Sequence, residues 1–277
     1  MSFDSTGKVS FDDIYTAPDP RAFFGTLRGL DYQIPQLAKP HFATLFDAYR
    51  AEQGVAEPTV LDVGCSYGVN GALRRCDTTM TELYEHYGDA ASLDRDALLE
   101  LDRRRVWSRM GTGFIGLDTS APALEYACAA GFLDDTIHAD FEATDPDDGQ
   151  QATLDGVDII VSTGCIGYVT EKTLVRISRG ARPWMAHFVL RMFSYQPVAD
   201  SLAELGYETT SIHGVFRQRR FASADEQAQI LDTLSAAGVD PQGLETEGWL
   251  YAQLFVSRPR GVGTGLASAM SALRLQG

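Results

Sequence analysis

Two short apolar runs restrict this chain more than any other feature. Thr59-Val60-Leu61-Asp62-Val63 and Asp158-Ile159-Ile160-Val161-Ser162 have strand length, β-branched content and apolar residues at successive positions. The second, continuously apolar, is the run expected of a strand with both faces out of water, in a parallel sheet covered by helices on each side. Residues 113–118 (GFIGLD) and 184–190 (WMAHFVL) repeat it. Helical patterns lie between. Ser120 can cap a helix carrying Leu124, Ala127 and Cys128 and stopped at Gly131. Residues 198–206 place Leu202 and Leu205 on one side, and Ser223 with Glu226 has capping-box spacing before Ile230, Leu231 and Leu234. Strands return at 207–213 and 248–257. Such alternation predicts an open, doubly wound, mostly parallel α/β sheet.

Three segments stand outside the alternation. Residues 1–57 read as a largely helical cap, with FFGTLRGL and HFATLFDAYRA separated by the proline-containing LDYQIPQLAKP. Residues 72–112 form an insertion far longer than one minimal connection, with helical patterns such as ALLELDRRRVW. Residues 259–277 are rich in Gly, Ser and Ala and read as a tail or a terminal helix. The expected division is a cap at 1–57, a core at 58–258 and a tail at 259–277.

The segment from Val60 to Asn70 carries most of the chemistry. A buried strand delivers the chain to a turn, Gly64-Cys65-Ser66-Tyr67-Gly68, where glycine lets backbone approach a ligand with no Cβ in the way. In an open α/β sheet this carboxyl edge is where ligands bind. Asp118 closes the next strand, where a carboxylate can accept hydrogen bonds from both hydroxyls of a ribose. Asp140 and Phe141, in IHADFE, can pair a carboxylate with an adenine amino group and set an aromatic face on its ring. The strand opened by Asp158 runs into the polar loop from Ser162 to Tyr168. A nicotinamide fingerprint, GxGxxG with an acid about 20 residues on, does not fit Gly64-x-x-x-Gly68 and the distant Asp118.

At these residues the chain resembles the class I S-adenosylmethionine-dependent methyltransferase superfamily, closely over about 58–190 and loosely to about 257. VLDVGCSYG looks like the first motif of that family, LDVGCGxG. GLD at 116–118, HADFE and DIIVSTG look like the next three. The resemblance implies a seven-stranded Rossmann-like methyltransferase fold and S-adenosyl-L-methionine as cofactor. It implies Asp62 and Gly64 beside the methionine amino group, with Cys65, Ser66 and Gly68 along the turn. Asp118 and Thr119 would hold the ribose, Asp140 and Phe141 the adenine, and Ser162 would open the loop where cofactor and acceptor meet. Two departures stand out: Ser66 replaces the usual middle glycine, and the insertion is unusually long.

On the acceptor side, Tyr168 and His187 are candidate bases, while Tyr32, Thr163, Arg191 and Tyr195 are candidate substrate contacts. Each has a plainer reading. Tyrosine also serves as half-buried packing, a strand histidine as a satisfied core residue, Thr163 as a loop cap and Arg191 as a surface charge rather than a carboxylate clamp. His213 is a weaker base candidate. Arg217, Arg219 and Arg220 form a basic cluster, read either as solvated pairs or as an anionic-substrate patch. The apolar stretch around Leu30-Asp31-Tyr32 predicts a lid over the cofactor edge, lined by Tyr15, Phe24 and Tyr32.

Charge narrows the partners. Lysine plus arginine total 23 and aspartate plus glutamate 38, a net charge of −15, which repels phosphate backbones and anionic lipid. No apolar run approaches the ~18 residues of a membrane span, and MSFDSTGKVSFDD lacks the regions of a signal peptide. Cys65, Cys76, Cys128 and Cys165 are scattered, which suits reduced thiols better than a metal site. The expectation is a cytoplasmic, metal-free methyltransferase acting on a small molecule, with a carboxylate-bearing metabolite among the candidates, and with neither nucleic acid nor membrane as partner. Transfer or cyclisation of the aminocarboxypropyl arm and non-catalytic cofactor binding remain open. The insertion either caps the pocket or buries a homodimer interface.

Overall fold

A computed structural model of the protein describes residues 4, 6–9, 11–107, 111–262 and 265–273. Parts of the expected cap (1–3, 5, 10), insertion (108–110) and tail (263–264, 274–277) lie outside the described residues. α1 (Asp12–Tyr15), α2 (Arg21–Arg28) and α3 (Ile34–Gln53) precede β1 (Thr59–Val63). α4 (Val69–Arg75), α5 (Met80–Asp89) and α6 (Arg95–Arg105) fill the connection to β2 (Gly113–Asp118). Then follow α7 (Ala121–Ala129), β3 (Asp135–His138), α8 (Asp148–Leu154), β4 (Ile159–Thr163), α9 (Glu171–Ser178) and β5 (Trp184–Leu190). The chain closes with α10 (Gln196–Glu204), β6 (Tyr207–Arg220), α11 (Ala224–Ala236), β7 (Trp249–Pro259) and α12 (Leu266–Ala272).

The strands form one seven-stranded sheet in the order β3-β2-β1-β4-β5-β7-β6. β7 runs antiparallel to both of its neighbours, and the other pairs are parallel. This is the doubly wound, mostly parallel seven-stranded sheet that the sequence predicts. Parity along each strand sends side chains to opposite faces. Val60, Phe114, Ile159, Val161, Ala186 and Phe188 meet Ile34, Phe42, Leu45 and Phe46 of α3 together with Leu266 and Met270 of α12. Leu61, Ile115, Ile160 and Val189 face Leu154, Leu174, Ile177 and Leu202 of α8, α9 and α10. A third cluster joins Phe23, Phe24 and Leu27 of α2 to α4, α5, α6 and α7.

Local departures from expectation have identifiable causes. α3 starts at Ile34 and runs through Pro40 instead of breaking there. Pro35 sits in the first turn, where a missing N–H is harmless. Burial of Ile34, Ala38, Phe42 and Leu45 against the sheet outweighs the bond lost at Pro40. Ser223 caps α11 by accepting from the Glu226 N–H, but the expected box is half formed, because the Glu226 carboxylate turns to Arg219. β6 extends to Arg220 and carries register shifts between Ile212 and Phe216 and between Arg217 and Arg219. The tail contains α12, whose Leu266 and Met270 are buried. In the insertion, the buried Asp102 carboxylate accepts from Tyr87 and Tyr126 and pairs with His86, tying α5, α6 and α7 together. Among the described residues, no helix is long and apolar enough to cross a membrane and no His/Cys/Asp/Glu group could hold a metal ion.

Gly71 packs α4 directly on the Phe132 carbonyl, and an added Cβ would overlap that backbone oxygen. Gly71→Ala is therefore expected to lower stability by about 1–3 kcal/mol, the usual cost of overpacking, read as a shift in the urea midpoint.

Candidate functional site

Strand order reverses between β1 and β4: from β1 the chain lays β2 and β3 to one side, and β4 and β5 to the other. At such a switch point the loops at the carboxyl ends diverge and leave a crevice. A cavity of about 430 Å³ opens there, within the size range of small-molecule sites. Residues after β1, β2 and β4 line it, with part of the N-terminal segment and of β6.

The β1 turn is built for close approach. Gly64 has φ +67°, and a Cβ there would lie 2.6 Å from the Cys165 Cβ. Ser66 adopts φ +49°, the left-handed conformation in which glycine is favoured. Its hydroxyl is buried at the cavity wall without a partner among the described residues. The next strand supplies the matching carboxylate. Asp118 accepts from the Ser66 N–H at 2.8 Å through Oδ2 and from the Ser120 N–H at 2.9 Å through Oδ1. Both oxygens are thereby fixed in place, and each keeps a lone pair. Thr119 and Ser120 continue this wall.

Below the turn, Asp62 is buried and accepts from Asn70 Nδ2 at 3.0 and 3.1 Å. Burial pushes its carboxyl up to about 7, the Asn70 bond partly offsets this, and the Asp118 charge adds to the rise. Asn70 reaches the cavity wall and also donates to Thr163 Oγ1 at 3.3 Å. Asp62 itself does not line the cavity; Asn70 stands between them.

The N-terminal segment crosses the mouth. Tyr67 donates to the Ile14 and Ala17 carbonyls, and Ser120 to the Tyr15 carbonyl at 2.6 Å. Further back, Val9 N–H binds Glu226, and Tyr168 donates to Asp4. Tyr15 and Tyr32 line the cavity as expected of the lid. Phe24 does not: it stacks on Tyr87 at 4.4 Å, and Phe23 takes the wall position.

Of the candidates, Gly64, Cys65, Ser66, Asp118, Thr119, Tyr32, Thr163 and Tyr168 come together at the cavity. The other candidates do not line this cavity. Gly68 starts α4 in the left-handed conformation and packs toward Ala127, Phe132 and Leu133 rather than on the cavity wall. Phe141 is buried in the opposite-face core, and Asp140 is exposed, accepting from the Glu142 N–H. Ser162 is fully buried and bonded to His187 Nδ1 at 2.8 Å. Burial drives His187 down to about 3, so this imidazole is neutral, sealed from the cavity and no base. Arg191 is paired with Glu245 at 2.6 Å and donates to the Asp240 carbonyl. Tyr195 stacks on Phe255 at 4.5 Å, inside the core. His213 is exposed and off the cavity wall.

Sequence reasoning missed Asp4, Lys8, Asn70 and Gln218 and left Arg219 in an undivided basic cluster. The register shift between Arg217 and Arg219 turns Gln218 and Arg219 both inward, as a β-bulge does. Arg217 and Arg220 instead stack over Trp249, at 4.9 and 4.4 Å. No strand-period argument finds that arrangement.

No protein-family model and no curated protein sequence matches the chain. Among solved structures it is similar to a TehB-like SAM-dependent methyltransferase from Corynebacterium glutamicum, with 16% identity, 72% of this chain and 79% of that one covered, and a TM-score of 0.35. It is similar to the YcgJ protein of Bacillus subtilis, with 15% identity, coverage of 79% and 99%, and a TM-score of 0.43. A SAM-dependent methyltransferase from Geobacter sulfurreducens, in complex with S-adenosyl-L-homocysteine, has 15% identity, coverage of 80% and 91%, and a TM-score of 0.37.

Asp62 and His187 give opposite pH signatures. The fold favours protonated Asp62, so this contribution is complete below about 3.8 and disappears as pH rises to about 7. It favours neutral His187, a contribution complete above 6.5 and lost as pH falls toward about 3. Across the overlap they offset each other. Relative to wild type, Asp62→Asn is expected to steepen the loss of urea resistance between pH 6.5 and 4, and His187→Gln to reverse that change.

Proposed function

We propose that this chain is a class I S-adenosyl-L-methionine-dependent methyltransferase acting on a small acceptor. One observation carries the reading: a carboxylate, Asp118, is fixed by two backbone N–H groups at the end of β2 and faces a cavity walled by a left-handed glycine turn. The residues fit the cofactor. Asp118 has lone pairs for two ribose hydroxyls, the unpartnered Ser66 hydroxyl has a hydrogen bond to give, and Asp62 with Asn70 suits an ammonium. When bound, the sulfonium supplies a methyl group already activated for displacement.

The chain's own task is then alignment and exclusion of water. Tyr15, Phe23 and Tyr32 close apolar surface over the mouth, held by the Tyr67 and Ser120 bonds to the N-terminal backbone. Tyr168 is not a base at neutral pH. Burial and the bond to Asp4 both raise its phenol, which leaves it as a hydrogen-bond donor and wall.

Calorimetric titration with S-adenosylmethionine and S-adenosylhomocysteine tests the reading. Wild type is expected to bind both. Asp118→Ala is expected to lose at least tenfold in affinity, in line with ~1.5–3 kcal/mol for hydrogen bonds to a charged group. Binding is also expected to weaken below pH 7, because the ammonium needs ionised Asp62. With an acceptor, S-adenosylhomocysteine should be released; methylthioadenosine would contradict methyl transfer.

A further inference from the structure

The cavity wall formed by the N-terminal segment and β6 holds charged groups that cofactor binding does not employ. Lys8 lies over the Tyr168 ring, with Nζ 5.0 Å from its centre, and Arg219 and Gln218 line the same cavity. The acids nearby are already taken. Glu226 accepts from Arg219 Nη1 and Nη2 at 2.9 and 2.7 Å, from Ala222 N–H at 2.7 Å and from Val9 N–H at 2.8 Å. Four donors fill a carboxylate. Asp4 accepts from the Thr6 N–H and hydroxyl, from Lys8 N–H and from Tyr168.

The Lys8 ammonium therefore has no carboxylate within ion-pair distance among the described residues, and its side chain lines the cavity with Nζ over the Tyr168 ring. Gln218 is 95% buried, and its Oε1 has no partner among the described residues. Its Nε2, which carries two N–H donors, lies beside Gly164. Arg219 lies on the same wall, its charge compensated by Glu226. An ammonium with no ion-pair partner on a cavity wall matches the chemistry of an anion.

We propose that Lys8, with Gln218 and Arg219 beside it, forms a subsite for an anionic oxygen group on the acceptor, a carboxylate or a phosphate. The proposal relies on the methyl-transfer reading for the molecule to which the anion belongs, but the subsite can be tested apart from it. Burial, then the Arg219 charge, brings the Lys8 amine down to about 8, against the pull of Asp4 and Glu226. The groups facing Lys8 are Arg219 from β6, Glu226 from α11, Cys165 from the loop after β4, and Asp4 and Tyr168. Between pH 7 and 9 the two acids stay ionised. Over the same range the Cys165 thiol, pushed up to about 12 by burial, and the Tyr168 phenol stay protonated. Lys8 alone of this group changes charge there.

The test titrates benzoate, phenyl phosphate and the neutral benzamide into the full chain, with and without S-adenosylhomocysteine. One anion is expected to bind at least tenfold more tightly than benzamide and to weaken as pH rises from 7 to 9. Lys8→Met should abolish the preference, while Lys8→Arg should keep it and remove the pH dependence. Tighter benzoate identifies a carboxylate acceptor, and tighter phenyl phosphate a phosphorylated one. Equal binding of benzamide, no binding of either anion, or an unchanged preference in Lys8→Met overturns the subsite. Anion preference without S-adenosylhomocysteine binding would instead defeat the proposed function and leave the subsite standing.

Discussion

A parallel sheet cannot leave either face to water, so its helices must alternate sides, and somewhere the direction of winding has to reverse. In this chain that happens between β1 and β4. The reversal separates the loops that leave neighbouring strands, and Gly64–Ser66, Asp118–Ser120 and Thr163–Tyr168 all border the resulting gap. The bond from Ser66 N–H to Asp118 spans it at 2.8 Å and fixes the turn after one strand by the side chain ending the next. Ser66 is thereby held in a left-handed conformation that its Cβ disfavours.

The protein carries a large negative charge, yet its crevice is a place where single charges are handled one at a time. Glu226 is quenched by four donors and in turn anchors the N-terminal backbone through Val9. Asp62 is left with one amide partner. Lys8 is covered by an aromatic ring. Full satisfaction holds structure in place, and partial satisfaction leaves room for a ligand's charge.

Much of this could be read from the chain itself. The apolar strand runs determine the sheet class, and a strand's terminus determines which edge its next residues occupy. Asp118, Gly64, Ser66, Thr163 and Tyr168 follow from that logic. Side chains within strands were harder. His187 and Ser162 face each other inside the sheet, and the Arg191 partner, Glu245, lies 54 residues away in sequence. Phe141 looked like a ring-stacking residue but follows the short β3 into the apolar layer beneath. Lys8 is not legible in the sequence because nothing around it shows that Asp4 bonds to Tyr168 and Val9 to Glu226.

The irregularity between Arg217 and Arg219 has a consequence for how such a wall can change over evolutionary time. A regular strand commits every second residue to one side, so altering two adjacent inward positions ordinarily takes two replacements. Here one surplus residue in β6 sets both Gln218 and Arg219 inward. Losing a single codon would straighten the ladder and rewrite the lining of the crevice in one step, with Arg217, Arg220 and their Trp249 platform on the outer side as the neighbours most disturbed.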